Sequence, residues 1–254
     1  MSFSAEWLAL REPADHAARD KKLLRQAALW AGQNPVILDL GCGTGATARA
    51  FSDVLPVNAQ WRLVDSDSEL LDRAAAEIGS TAKTHLLDLN EIEALPLEGV
   101  TLVTASALLD LVSEAWVNAL VPKLDVPFYA SLNYEGTMNW TPVGQLDEEI
   151  RLAFNTHQRT DKGFGPALGP DAAERSAEIF QHSGFKVNCA DSPWQLGPGN
   201  EKLLFELIEG IAQAATDAGV KNATDWCRAR QDNLSDTDCV IGHVDMLAKP
   251  THIS

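Results

Sequence analysis

Three glycines, Gly41, Gly43 and Gly45, alternate through "VILDLGCGTGATARAF" (36–51), just after an acid, Asp39. Glycine admits backbone angles closed to other residues and lets a ligand touch the main chain. A helix starting near Thr44 adds unpaired N–H donors at the same spot. A tight turn alone needs one or two such residues, so three in alternation point to a ligand site. Gly41, Gly43 and Ala46 also satisfy the G-x-G-x-x-A pattern of dinucleotide sites. Asp39 discriminates, because a carboxylate there repels a pyrophosphate and attracts a cationic amine.

The loop needs a scaffold, and the chain alternates short apolar runs with amphipathic stretches, the pattern of a mostly parallel sheet covered on both faces. Strands are expected at 35–41, 60–66, 84–89, 100–106, 126–134, 185–192 and 239–250. Helix-like segments lie between them, several opening on Ser, Asp or Asn caps. The stretches 200–218 and 222–234 read equally as a subunit interface or as layers over the sheet. The expected divisions are an N-terminal helical cap at 1–34, a ligand-binding part at 35–135, an insertion at 136–170 and a remainder at 171–254.

The 254 residues carry a formal net charge of -16, which argues against a nucleic-acid partner because such affinity rests on Lys and Arg contacts to phosphates. Cys42, Cys189, Cys227 and Cys239 lack metal-ligand spacing, and four scattered thiols suit a reducing cytosol. The first residues are charged, and the longest apolar run stops at Asp110, so neither a targeting segment nor a membrane span is expected. A soluble cytoplasmic protein, monomer or homodimer, is the expectation.

In "LDLGCGTG" (38–45), "VDSDSELLDRA" (64–74), "LLDL" (86–89) and "ASALLDLVS" (105–113), in that order, the chain resembles the class I S-adenosylmethionine-dependent methyltransferases. The resemblance spans residues 35 to 250 and implies a Rossmann-like, seven-stranded, mostly parallel α/β sheet with helices on both faces and a final antiparallel hairpin. It implies S-adenosyl-L-methionine as cofactor and a small-molecule acceptor. Gly41, Gly43 and Gly45, with Thr44 among them, would line the methionine part, and Asp39 would lie beside its amino group. Asp65 would accept from both ribose hydroxyls, its alternative being a helix cap; Ser66 would lie along the adenine. Asp88 would take the adenine amine, or be an ordinary turn acid, with Leu89 packing on the ring. Ser106 and Ala107 would flank the sulfonium. Arg19 is a further candidate for the cofactor carboxylate, although "DHAARDKKLLRQ" also reads as a solvated face.

On the acceptor side stand Asp110, as base or as helix cap, and Asn133 and Tyr134 at the end of the fifth strand. The polar stretch "NTHQRTDKGFG" (155–165) reads as a lid hinged at Gly163 and Gly165 or as an exposed loop. Within it His157 is the best candidate base, its unperturbed pKa near 6.5 suiting neutral pH. Arg11, Arg19 and Arg159 hint at an anionic acceptor, and Trp7 and Trp140 either wall it or pack helices on the sheet. The Asn/Asp-Pro-Pro-aromatic motif of relatives that methylate amides or adenine amines is replaced by "SALLDL", which disfavours that subclass. The competing readings are a non-catalytic S-adenosylmethionine-binding protein and a nucleotide-dependent oxidoreductase.

Overall fold

A computed structural model describes residues 3–252. Two helices, α1 (Ala5–Ala18) and α2 (Lys21–Trp30), precede the first strand, capped by Ser4 and Asp20 side chains that accept from Trp7 N and Leu23 N. Strand β1 (Val36–Leu40) sits between β2 (Gln60–Asp65) and β4 (Leu102–Ser106), both parallel to it. Outside these lie β3 (Ala82–Leu86), parallel to β2, and β5 (Phe128–Thr141), parallel to β4. Antiparallel strands complete the sheet: β8 (Asp238–Pro250) pairs β5, and β6 (Phe185–Asp191) and β7 (Trp194–Leu196) both pair β8. The order is β3-β2-β1-β4-β5-β8-β6, with β7 beside β8.

The parallel order reverses between β1 and β4, which opens a crevice at their carboxyl ends. Ile37, Leu38 and Leu40 of β1 are fully buried because helices cover both faces. One face packs Leu38 and Leu40 in a core with Trp116 of α5 (Glu114–Leu120) and Phe180 of α7 (Ala172–His182). The other packs Ile37 and Leu63 with Ala27 of α2, Phe51, and Ala74 of α4 (Ser68–Ile78). The third helix, α3 (Ala46–Ala50), follows the glycine loop, starting two residues after the expected Thr44.

The sheet has an eighth strand, β7, where seven are expected, and β5 runs on to Thr141 instead of ending near 134. The segment leaving the sheet therefore starts at Pro142 rather than 136, and carries α6 (Asp147–Gln158). The far halves of β5 and β8 build a separate core: Met138, Trp140 and Ile241 pack with Trp194, Ile208 and Trp226. The last two come from α8 (Glu201–Asp217) and α9 (Ala223–Gln231), so these helices cover the strand extension. No helix among the described residues is long and apolar enough to cross a membrane.

Candidate functional site

The crevice is walled by Gly41, Gly43 and Thr44 after β1, Asp65 and Ser66 at the end of β2, Asp88 and Leu89 after β3, and Ser106 and Ala107 at the end of β4. Asp65 organises the floor: its Oδ2 accepts from Gly43 N at 2.9 Å and its Oδ1 from Asp67 N at 3.0 Å. The cap of α4 is Asp67, which accepts from Glu69 N and Leu70 N, so the alternative reading of Asp65 as that cap is corrected. Strand β3 stops at Leu86, two residues short of Asp88, whose Oδ1 turns the chain by accepting from Asn90 N at 2.9 Å. Both Asp88 and Leu89 thereby leave the sheet for the crevice wall. Ala107 adopts φ 49, a conformation costly for a side-chain-bearing residue, with its N–H on the Ser131 carbonyl. Such backbone outliers concentrate at ligand sites.

The three glycines divide. Gly41 (φ 64) and Gly43 (φ 52) face the crevice; a Cβ on Gly43 would meet only the tip of Leu8, at 3.1 Å. Gly45 (φ 85) does not line it: a Cβ there would lie 2.9 Å from Ile78 Cδ1 and 3.3 Å from Ala74 Cβ. Its small size serves the approach of α4, which corrects its expected place beside a ligand. Left-handed geometry costs a side-chain-bearing residue about 1–2 kcal/mol, and overpacking about 1–3 more. Gly45→Ala is therefore expected to lower stability by about 3 kcal/mol and Gly43→Ala by about 1 kcal/mol. Ligand affinity is expected to fall more in Gly43→Ala. Denaturant unfolding and calorimetry read the two effects separately.

Two further expectations move. Arg19 is neither solvated nor part of the crevice wall: it is buried, donating to Ser106 Oγ at 2.9 Å and to Ser131 Oγ, and so ties the ends of β4 and β5 together. The arginine in the wall is Arg11. It holds both oxygens of Asp15, at 2.9 and 3.1 Å, and lies 4.9 Å over the Trp194 ring. Asp15 also accepts from Trp194 Nε1 at 2.9 Å. Leu8, Arg11 and Asp15 recur at 3- and 4-residue spacing on α1, a helical face visible in the sequence.

Asp39 sits outside the wall, on the sheet side of the loop, almost fully buried. Its Oδ1 accepts from Thr104 Oγ1 at 2.7 Å, and its Oδ2 has no hydrogen-bond partner among the described residues. Burial pushes its carboxyl up to about 7, against the pull of the Thr104 hydrogen bond and the Arg19 charge.

The acceptor-side candidates are not gathered in the crevice wall. Asp110 is not the cap of α5; Ser113 is, accepting from Trp116 N at 3.2 Å. Asp110 is instead buried with Oδ1 unpartnered, and burial pushes its carboxyl up to about 6. Asn133 donates to the Val244 carbonyl at 2.9 Å and leaves Oδ1 unpartnered. Tyr134 donates its hydroxyl to Asn155 Oδ1 at 2.7 Å, and Asn155 donates to the Gly136 carbonyl, so Tyr134 fixes α6 onto β5. His157, in the last turn of α6, lies beside Lys162, its Nδ1 3.3 Å from Lys162 Nζ. It faces an outer groove rather than the crevice, and burial with the Lys162 charge lowers its pKa.

Sequence reasoning missed His243. It pairs with Tyr134 across the ladder, is buried against Trp194 with ring centroids 5.1 Å apart, and has Nδ1 unpartnered among the described residues. Burial and the Arg11 charge push it down to about 3.

Residues 37–124 match the profile of the methyltransferase domain. Comparison with curated proteins gives no match. Among solved structures, the chain is similar to a cyclopropane-fatty-acyl-phospholipid synthase-like protein from Lactobacillus casei, at 12% identity and TM-score 0.60, covering 98% of this chain and 95% of that one. It is similar also to the YcgJ protein from Bacillus subtilis, at 15% identity and TM-score 0.55, covering 92% and 98%. A third is the cyclopropane synthase MmaA2 from Mycobacterium tuberculosis, at 13% identity and TM-score 0.52, covering 97% and 95%. At these identities the likeness speaks for the fold, and the profile match speaks for the domain around the glycine loop. Together they give a methyltransferase-domain profile over residues 37–124, set in a chain whose fold is shared with these structures.

Proposed function

We propose that the protein methylates a small molecule presented to the crevice at the ends of β1 and β4, with S-adenosyl-L-methionine seated along the glycine loop. The observation that carries this reading is the loop itself: Gly41 and Gly43 open the backbone, and Asp65 holds it by a hydrogen bond from Gly43 N. Each oxygen of Asp65 takes one backbone N–H and keeps a lone pair, which suits two ribose hydroxyls. Asp88 and Leu89 supply an acceptor and an apolar face for adenine. The unpartnered Oδ2 of Asp39 behind the loop suits a cationic amine, and Arg11 suits a carboxylate. The bound cofactor supplies an activated methyl group.

The chain's own part is alignment. Holding two reactants in line contributes about 7–11 kcal/mol of the barrier, and a base is needed only for an acceptor that starts protonated. Ser106 and Ala107 border the reacting end of the crevice, Arg19 fixes Ser106 from behind, and α1 covers the opening with Leu8 and Arg11. Tyr134 acts by positioning α6 through Asn155.

Calorimetry with S-adenosylhomocysteine, and with NAD in parallel, tests the reading. Micromolar binding of the first and none of the second is expected. Binding of NAD in preference would overturn it.

A further inference from the structure

A broad groove runs along α8 beyond the crevice and shares with it Phe3, Leu111 and Lys162. Its walls are largely apolar, with Trp7, Phe154 and Leu207 among them. Gly210 on α8 lies two turns from Asp217, whose carboxylate is 3.9 Å from His157 Nε2, so both belong to the face turned towards α6. A Cβ on Gly210 would meet nothing within 4 Å. At the junction of groove and crevice, Lys162 is 7% exposed and donates to Thr160 Oγ1 at 3.1 Å, with His157 Nδ1 at 3.3 Å. An ammonium has three protons to donate, and Lys162 forms no carboxylate ion pair among the described residues. In a chain of net charge -16, a buried ammonium with no carboxylate among the described residues within ion-pair distance is an exception that a ligand anion would complete. Burial also lowers its pKa, with the Asp217 carboxylate offsetting only part of that, a penalty that an incoming anion relieves.

Resting on the methyltransferase reading of the crevice, we infer that this groove is the acceptor site and takes an apolar carboxylic acid, its body along α8 and its carboxylate on Lys162. The groove lining also carries Glu201, Glu206 and Glu209 with the exposed Lys202 among them, a net negative rim that repels polyanions and leaves Lys162 as the buried cation for a single negative charge. The sharing of Leu111 and Lys162 between the two cavities brings the anchored end to the cofactor side.

The test is calorimetry of the full chain saturated with S-adenosylhomocysteine, using decanoate, decanol and decyltrimethylammonium as probes. Decanoate is expected to bind at least tenfold more tightly than decyltrimethylammonium. Lys162→Met should weaken decanoate at least tenfold and leave decanol within twofold. Gly210→Trp, which fills open space, should weaken both at least tenfold and leave S-adenosylhomocysteine within twofold. Equal binding of the cationic and anionic probes, or decanoate binding untouched by Gly210→Trp, overturns the assignment. If S-adenosylhomocysteine fails to bind while the decanoate pattern holds, the methyltransferase reading fails and the ligand class of the groove stands.

Discussion

Between pH 3 and pH 8, the stability difference between Asp39→Asn and the parent protein will move in favour of Asn by about 4 kcal/mol. Asp39 is raised from 3.8 to about 7 because burial removes its carboxylate from water, with Thr104 and Arg19 offsetting only part of that. A raised carboxyl pKa means the folded chain binds the proton more tightly than the unfolded one. Its contribution is therefore fully present below 3.8 and is lost as pH rises through about 7. Asparagine is neutral throughout and escapes that loss. Asp110, raised to about 6, follows the same sign. His243, lowered to about 3, works oppositely: its contribution is present above 6.5 and lost as pH falls towards 3. Both cancel in the difference between the two proteins, so thermal or urea unfolding across the pH range isolates Asp39.

Ligand binding should respond in the other direction. A cationic amine beside Asp39 favours the carboxylate, so binding near neutral pH is expected to release a proton. Calorimetry in buffers of different ionisation enthalpy counts it. Asp39→Asn should bind S-adenosylhomocysteine about tenfold more weakly at pH 8, with the gap closing by pH 5, where the parent carboxyl is also neutral. A stability difference flat with pH would show that Asp39 titrates normally. An unaltered affinity at pH 8 would remove it from the cofactor's amine.

The loop, its acid and the strand ends at Asp65 and Ser106 were legible because each is a local pattern: apolar residues closed by glycine or a short polar residue. The far half of β5 was legible in principle. Met138 and Trp140 are buried while Thr137, Asn139 and Thr141 are exposed, a two-residue alternation. Gly136 and the Gly/Pro-rich end of the segment masked it and suggested an insertion. What no local pattern shows is the meeting of distant residues. His243 faces Tyr134 only because β8 pairs β5 antiparallel, with register shifts on either side of Asn133 and Tyr134. Arg19 sits in a charged stretch and is nonetheless drawn inward by hydroxyls 87 and 112 residues away. His157 was singled out for its side chain's ordinary pKa, and its position in the outer groove depends on where α6 docks.

That docking supplies the other large effect. Asp147→Ala is expected to lower stability by about 3–5 kcal/mol, the usual result of removing one partner of a buried ion pair. The Asp147 carboxylate opens α6 and holds Arg230 Nη2 at 2.5 and 2.6 Å, Gly144 N at 2.6 Å and Trp226 Nε1 at 2.8 Å. Arg230 also donates to the Pro142 carbonyl at 2.9 Å and lies 5.0 Å over the Trp140 ring, with a side chain 7% exposed. Truncating Asp147 strands a guanidinium in this apolar enclosure with one carbonyl and an aromatic face. For a chain of this size the loss corresponds to a melting temperature about 10 °C lower. The double variant Asp147→Leu/Arg230→Met, which removes both charges, should recover most of that loss, because the penalty lies in the uncompensated ion rather than in the pair. A single variant within 2 °C of the parent, or a double variant no better than the single, would show that water reaches the guanidinium. Since α6 also carries Phe154 and His157 of the outer groove, a loosened anchor should raise the acceptor's KM while cofactor affinity, set by the loops after β1, β2 and β3, stays put.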